Sequence, residues 1–327
     1  MIRIALIGAG RVARTHADVL RRTPGVEVVA VADPRANAAH ELAASLGVPS
    51  FESLTEVLAA VQLDAVDIIA PHHVHHSLAL EALHGGLHVL MDKPIATNVA
   101  HGRELCEVAT RKGLVLAICH NLLFHPAVQR TTELIPTGTL GRVTHADAWS
   151  SGWLDLPPWD FRLDREATGG GAWVDGAPHL VYLLEACLGP VDQLRALLST
   201  SASRLGGEDT AHGQALLKSG AVAGILVGYS DCPAGPQLGW PDGWSLGLSL
   251  VGTDGRIGLD LLPRAQVTWQ RKGEREQVEV FADVPFDEGF AGVFADFVAA
   301  VDGTATLQVS PWDSLRNLDL VRSALPS

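Results

Sequence analysis

Residues 2–7 read Ile-Arg-Ile-Ala-Leu-Ile and stop at glycine, the short, mostly apolar run of a strand buried on both faces of a parallel sheet. An alanine-rich helical stretch follows from Ala13 to Leu20, then a second apolar run from Val26 to Ala32. The alternation continues with helices over 35–46 and 53–61, a strand from Ala65 to Ala70, a helix over 74–84, and strands at His88 to Met91 and Val115 to Ile118. This rhythm predicts an N-terminal α/β domain over residues 1–120, a doubly wound parallel sheet. Beyond His120 the period shortens. Alternating runs at Val143 to Ser150, Gln193 to Ser199, Thr210 to Leu217, Val222 to Gly228, Leu246 to Gly252, Arg256 to Asp260, Gln266 to Gln270 and Gln277 to Phe281 predict an α+β domain over 121–310. Its sheet is expected to be open and predominantly antiparallel. A helix from about Trp312 to Ala324 fills a last segment, 311–327.

The turn after the first strand reads Gly8-Ala9-Gly10-Arg11-Val12-Ala13, a GxGxxA pattern set between a strand and a helix, which is the context a Rossmann dinucleotide fingerprint requires. Gly8 permits the tight turn, Gly10 lets a pyrophosphate approach the backbone, and Ala13 lets helix and strand pack closely. The helix N-terminus then faces the phosphates. Asp33, just past the second strand, stands where an acid hydrogen-bonds a ribose 2′-hydroxyl, which favours NAD. Arg35 could instead meet a 2′-phosphate, so NADP stays open.

Ligands of a doubly wound sheet sit beyond the carboxyl ends of its strands. Three groups stand there: Pro71-His72-His73-Val74-His75-His76, Asp92-Lys93-Pro94 and His120-Asn121. Lys93 offers an ammonium that burial could bring into proton exchange near neutral pH. The cofactor-binding candidates are Gly8, Gly10, Arg11, Val12, Asp33, Pro71, His75 and Lys93. Four histidines in five positions invite a metal, but adjacent helical residues fan out by about 100° and cannot converge on one ion, so no metal site is expected. One or two of them, His72 among them, suit a polar substrate or the nicotinamide ribose.

In the second half, Asp175 and His179 lie four apart after Gly169-Gly170-Gly171, a spacing that puts both on one helix face. An acid beside a histidine can set its tautomer and stabilise its charged form. Pro178 predicts that regular helix begins only near Ala177, leaving Asp175 just ahead of it. Trp153, Trp159, Phe161 and Trp173 serve equally well as a platform for a sugar ring or as core.

The chain of 327 residues is long enough for two cores, and 47% hydrophobic residues with no apolar run of membrane-spanning length predict a soluble protein off the membrane. A net charge of −13 and a pI near 5.4 argue against nucleic acid. The start lacks a secretory pattern, and Cys106, Cys119, Cys187 and Cys232 show no CxxC spacing, so a reducing cytoplasm is expected.

Taken together, these residues resemble the family of glucose-fructose oxidoreductase, inositol dehydrogenase and the rhizopine-catabolism proteins over nearly the whole chain. The landmarks are Gly8 to Ala13, Pro71 to His76, Asp92-Lys93-Pro94, Asn121 with Pro126, Gly169 through Asp175 and His179, Glu208-Asp209-Thr210 and Gly252-Thr253-Asp254-Gly255. Family members usually carry Glu-Lys-Pro where this chain has Asp92-Lys93-Pro94. The resemblance implies hydride transfer between nicotinamide and a carbinol or carbonyl carbon of a sugar, inositol or related polyol. It makes Lys93, Asp175 and His179 the catalytic constellation, with Asn121 and the loop from Trp159 through Arg162 to Arg165 shaping the substrate pocket. It further implies a homodimer or homotetramer formed through the C-terminal sheet, and a last helix that returns toward the N-terminal domain. The alternatives within the same fold are a silent dinucleotide-binding regulator, or a hydrolase or lyase that uses NAD transiently.

Overall fold

The computed structural model describes residues 1–154, 156–200, 205–229 and 243–326. Cys232 lies outside them. The chain divides into two compact units, Met1–Asn121 with Gly289–Leu318, and Leu122–Glu288 with the chain from Asp319 on.

The first unit runs β1 (Ile2–Ile7), α1 (Arg11–Leu20), β2 (Val26–Ala32), α2 (Ala36–Leu46), β3 (Ser50–Phe51), α3 (Leu54–Ala60), β4 (Ala65–Ile68), α4 (His72–His84), β5 (His88–Asp92), α5 (Val99–Lys112) and β6 (Leu116–Cys119). Its six strands stand in the order β3-β2-β1-β4-β5-β6 and all pair in parallel. The order reverses between β1 and β4, and a doubly wound sheet opens its ligand crevice at such a point. Strand residues such as Ile4, Leu6, Val66, Ile68, Val89 and Met91 are almost fully buried, which is why these runs read as continuously apolar. α5, an element missing from the expected series although Leu105, Cys106 and Ala109 recur at helical spacing and are buried, starts where the Asn98 side chain accepts the His101 N–H and stops at left-handed Gly113.

The second unit holds α6 (Pro126–Leu134), β7 (Val143–Ser151), the single turn α7 (Arg165–Thr168), α8 (Ala172–Leu188), and β8 (Val191–Ser199) through β9 (Thr210–Leu217), β10 (Val222–Gly228), β11 (Ser245–Gly252), β12 (Gly255–Leu262), β13 (Gln266–Arg271) and β14 (Gln277–Val280). These form one eight-stranded sheet, β14-β13-β12-β11-β7-β10-β9-β8, antiparallel except for the β7–β10 pair. Helix α8 packs on it with Trp173, Leu180, Val181 and Leu184 fully buried.

Two expectations need correction. α9 (Glu288–Val301) and most of α10 (Pro311–Ser323) group with the first unit, so the second unit ends near residue 288 rather than 310. Phe294 and Phe297 of α9 are buried, and the Phe290 and Phe294 rings lie 4.8 and 5.2 Å from the ring of His16 on α1. An apolar helix late in the chain carries no sign of which core it will join. The second correction concerns α8, which begins at Ala172, five residues before the position that Pro178 suggests. The Ala172 N–H donates to the Glu208 carbonyl at 2.8 Å and the Trp173 N–H to Glu208 Oε1 at 3.0 Å, so the first orphan donors of the helix are met from another segment. Pro178 then falls within the helix, where it forgoes one bond to the turn before it.

Trp173 is core rather than a sugar platform: it is fully buried and its indole N–H donates to the Val321 carbonyl at 3.0 Å. Trp173→Ala should cost about 3–5 kcal/mol of stability; urea unfolding of the variant and parent measures it, and a loss below about 1 kcal/mol contradicts this packing.

Candidate active site

The cofactor end is built by the turn between β1 and α1. Gly8 has φ +119°, and a Cβ there would lie 2.0 Å from the Ile69 carbonyl oxygen, so only glycine fits beside the end of β4. At Gly10, by contrast, a Cβ would meet nothing within 4 Å, leaving an open cradle ahead of α1. No side chain caps that helix and no acid occupies its first turn, so its positive end is open to an anion. Arg11 is exposed there, Val12 is half-buried and Ala13 is fully buried.

Asp33, 6% exposed, closes the other side. Its Oδ2 accepts the Ala9 N–H at 2.8 Å and Arg35 Nη2 at 3.1 Å; its Oδ1 accepts the Arg35 backbone N–H at 2.9 Å and Nε at 3.0 Å. Burial alone would raise the Asp33 carboxyl, but these donors more than offset it and hold the group below the usual carboxylate value.

Beyond β4 and β5 stand the strand-end residues. His72 and His75 on α4 are buried, with their rings 5.7 Å apart. His75 has Nδ1 2.8 Å from the Pro94 carbonyl and Nε2 2.8 Å from the Ala70 carbonyl. The ring is thus seated between the Lys93-Pro94 turn and the segment that precedes Pro71, and in its neutral form it donates its one N–H to one of the two carbonyls. Burial pulls the His75 imidazole below its ordinary value, against the two carbonyls that favour a protonated ring. Lys93 itself is 8% exposed and Asn121 5%, both buried polar groups at the carboxyl edge of the sheet. His76 turns away, stacking on His101 at 4.0 Å and meeting Glu104 at 2.9 Å, so the four histidines do fan out.

In the second unit, every residue from Gly171 to Leu180 is buried except Asp175 and His179, which are half-exposed. They form the accessible stripe of α8. Gly176 brings this helix close to β10: a Cβ there would lie 2.6 Å from a Val227 methyl and 3.2 Å from the Tyr229 hydroxyl. The Tyr229 hydroxyl donates to Asp175 Oδ2 at 2.9 Å, and burial beside that carboxylate raises the phenol well above its usual value, so it stays a donor. His179 Nδ1 lies 2.7 Å from the Tyr182 hydroxyl. Arg162, which the sequence places in the substrate loop, is clamped by Asp160 through Nε at 2.8 Å and Nη2 at 2.7 Å. Burial opposes its charge, but Asp160 and Asp175 outweigh that and hold it charged. Trp159 stands 72% exposed.

Residues 2–120 match the oxidoreductase family with an NAD-binding Rossmann fold, and residues 128–258 match the GFO/IDH/MocA C-terminal domain. The chain belongs to the Gfo/Idh/MocA oxidoreductase family. Similar proteins include the rhizopine catabolism protein MocA of Rhizobium meliloti, 26% identical over 98% of this chain and 93% of that protein. The D-glucoside 3-dehydrogenase of Escherichia coli is 33% identical, but over 55% of this chain and 52% of its own length. The scyllo-inositol 2-dehydrogenase (NAD(+)) of Bacillus subtilis is 24% identical over 98% of this chain and 92% of its own. Among solved structures, GenD2 from gentamicin A biosynthesis, in complex with NAD, shares the fold with a TM-score of 0.84 at 23% identity, covering 99% of this chain and 93% of that one.

As a member of the Gfo/Idh/MocA family the chain is an NAD-dependent oxidoreductase, and its own residues fit the cofactor: the open cradle at Gly10 and the uncapped start of α1 suit a pyrophosphate. Reasoning from sequence misses Tyr182 and Tyr229. They are the chain's two tyrosines, and one bonds each of the polar residues on the α8 stripe. Tyr182 lies three residues after His179, a helical neighbour legible from spacing. Tyr229 reaches Asp175 only through the packing of α8 on β10, for which the sequence holds no signal. No helix among the described residues is long and apolar enough to cross a membrane.

Burial lowers His120 and His125 to about 4, with the Lys93 charge adding to the effect at His120. Each therefore binds its proton in the unfolded chain before the folded one. Their contribution is present above about pH 6.5 and is lost as pH falls toward 4, at most about 3 kcal/mol apiece. Urea unfolding from pH 7 to 4.5 should show this slope, and His120→Asn with His125→Asn should flatten it; an unchanged slope in the double variant places the acid sensitivity elsewhere.

Proposed function

We propose that this NAD-dependent oxidoreductase interconverts a carbinol and a carbonyl carbon on a sugar, an inositol or a related polyol. The observation that carries the reading is the half-exposed Asp175/His179 stripe, each member backed by a tyrosine hydroxyl, in a chain whose other unit bears a dinucleotide turn. Relatives named for a glucoside and an inositol point to the same substrate class. NAD, when bound, supplies the two-electron acceptor for the carbinol hydrogen.

The chain's own residues then have distinct tasks. Lys93 and His179 are the proton-transfer candidates in this reading, and one of them takes the proton as the O–H bond of the substrate hydroxyl breaks. The Tyr182 hydroxyl on Nδ1 of His179 fixes how the ring is turned. Asp175, with Tyr229 donating to Oδ2, steadies a sugar hydroxyl or the charge that develops on the imidazole. Arg162 and Asn121 are donors suited to a polyol's remaining oxygens, and His72 and Trp159 are the further substrate-binding candidates. The apolar side chains exposed on the second unit's sheet, Leu197, Val222 and Val278, fit burial against another copy in a homodimer or homotetramer.

Lys93→Met keeps the length of a buried side chain and removes its proton. Turnover on an oxidised polyol should fall by about 10²–10⁴ with NADH affinity nearly unchanged. A panel of inositols, aldoses and sugar acids, followed by nicotinamide absorbance, finds the substrate; undiminished turnover in the variant would remove Lys93 from the chemistry.

A further inference from the structure

We propose that the cavity at the amino end of α8 is a second ligand site, built to hold a small polyhydroxy acid of the aldonic or uronic class. Its volume is about 540 Å³, within the range of small-molecule sites, and every residue lining it belongs to the second unit. Lys93, Asp175 and His179 are not among those residues. The acid is therefore held there rather than turned over.

The walls are fixed by contacts that leave their charges unused. The end of α10 is tied down where the Trp173 indole N–H donates to the Val321 carbonyl at 3.0 Å and the Ala196 N–H to the Ala324 carbonyl at 2.9 Å. This sets Arg322 in the cavity wall, with Nη1 donating to the Gly169 carbonyl. Arg165, on the single turn α7, supplies a second guanidinium, and Glu166 and Glu208 supply two carboxylates. Among the described residues none of these four side chains is in an ion pair. Glu208 is 7% exposed, and its Oε1 accepts the Trp173 N–H at 3.0 Å, while its Oε2 has no hydrogen-bond partner among the described residues. A nearly buried carboxylate with one oxygen unspent in a cavity wall is ready to accept a donor from a ligand.

The charges select that ligand. Two guanidiniums suit a carboxylate, which takes paired N–H bonds from such forks. Glu166 and Glu208 accept but do not donate, so they require hydroxyls on the same molecule. A simple inorganic anion such as sulfate offers them no donor and meets their repulsion, whereas a neutral polyol leaves both guanidiniums without an acceptor. Val174, Leu198 and Leu325 complete the wall with apolar surface for a carbon skeleton. One carboxylate and several hydroxyls on a short carbon chain satisfy the three conditions together.

Titration calorimetry of D-gluconate into the full-length protein, without nucleotide, reads the site directly. We expect a dissociation constant below about 1 mM, weakened about 10-fold in Arg165→Ala and in Arg322→Ala and changed by less than about 3-fold in Asp175→Asn. Arg165 is exposed, so its variant keeps the test open should Arg322→Ala fail to fold. Sulfate and myo-inositol should each bind the parent about 10-fold more weakly than gluconate. Glu208→Gln keeps an acceptor for the Trp173 N–H and places a donor where the open oxygen stood, so gluconate should weaken and sulfate tighten. No binding of gluconate or glucuronate up to about 10 mM, sulfate as tight as gluconate, or a loss under about 3-fold in Arg165→Ala overturns the proposal. Loss of binding in Asp175→Asn would put the acid on the polar stripe of α8 and overturns it equally.

Discussion

A β-carbon at Gly8 would lie 2.0 Å from the Ile69 carbonyl oxygen, and this contact fixes everything at the cofactor end of the first unit. The turn is pressed against β4 on one side and tied on the other by the Ala9 N–H to Asp33. Its geometry is therefore set before any ligand binds. The start of α1 is aimed by the same two constraints, and its uncapped end with the open space at Gly10 follows from them. His75 performs a comparable service at the neighbouring strand ends, its buried ring wedged between the carbonyls of Ala70 and Pro94, one of which accepts its N–H.

The second unit solves a different problem, that of leaving two polar side chains accessible on the otherwise buried stretch from Gly171 to Leu180. Glu208 meets the first N–H groups of α8, Gly176 lets the helix lie against β10, and both tyrosines of the chain are spent on the exposed pair. Burial keeps Tyr229 protonated beside Asp175, so that contact is a donated hydrogen bond and not a repulsion between charges. Preorganisation of this kind positions a proton-transfer group without its having to be rearranged during the reaction.

Much of the parallel sheet is legible in the sequence because each strand is buried on both faces and the turn after β1 needs glycine for a steric reason that shows in the residue type. β3, two residues long, offers no pattern to read, whereas α5 is legible in principle: Leu105, Cys106 and Ala109 recur at helical spacing, and Asn98 and Gly113 mark its ends. The start of α8 is misplaced from sequence because proline reports only its own missing donor, whereas Glu208, a distant residue, meets the donors at Ala172 and Trp173. Asp33 and Arg35 are both visible as candidates, but that one clamps the other is a matter of side-chain geometry that spacing alone does not determine. The same holds for His75, identifiable at a strand end while its two carbonyl partners are not.

In the proposed chemistry Lys93 or His179 takes the proton of the substrate hydroxyl. The most direct measurement is a crystal structure of the protein with NAD and an unreactive polyol bound. Proton transfer requires Lys93 Nζ or a ring nitrogen of His179 within about 3.2 Å of the reacting hydroxyl, the carbon bearing it facing the nicotinamide ring. Both side chains remote from that hydroxyl, or a dinucleotide seated away from the Gly8–Gly10 turn, would contradict it.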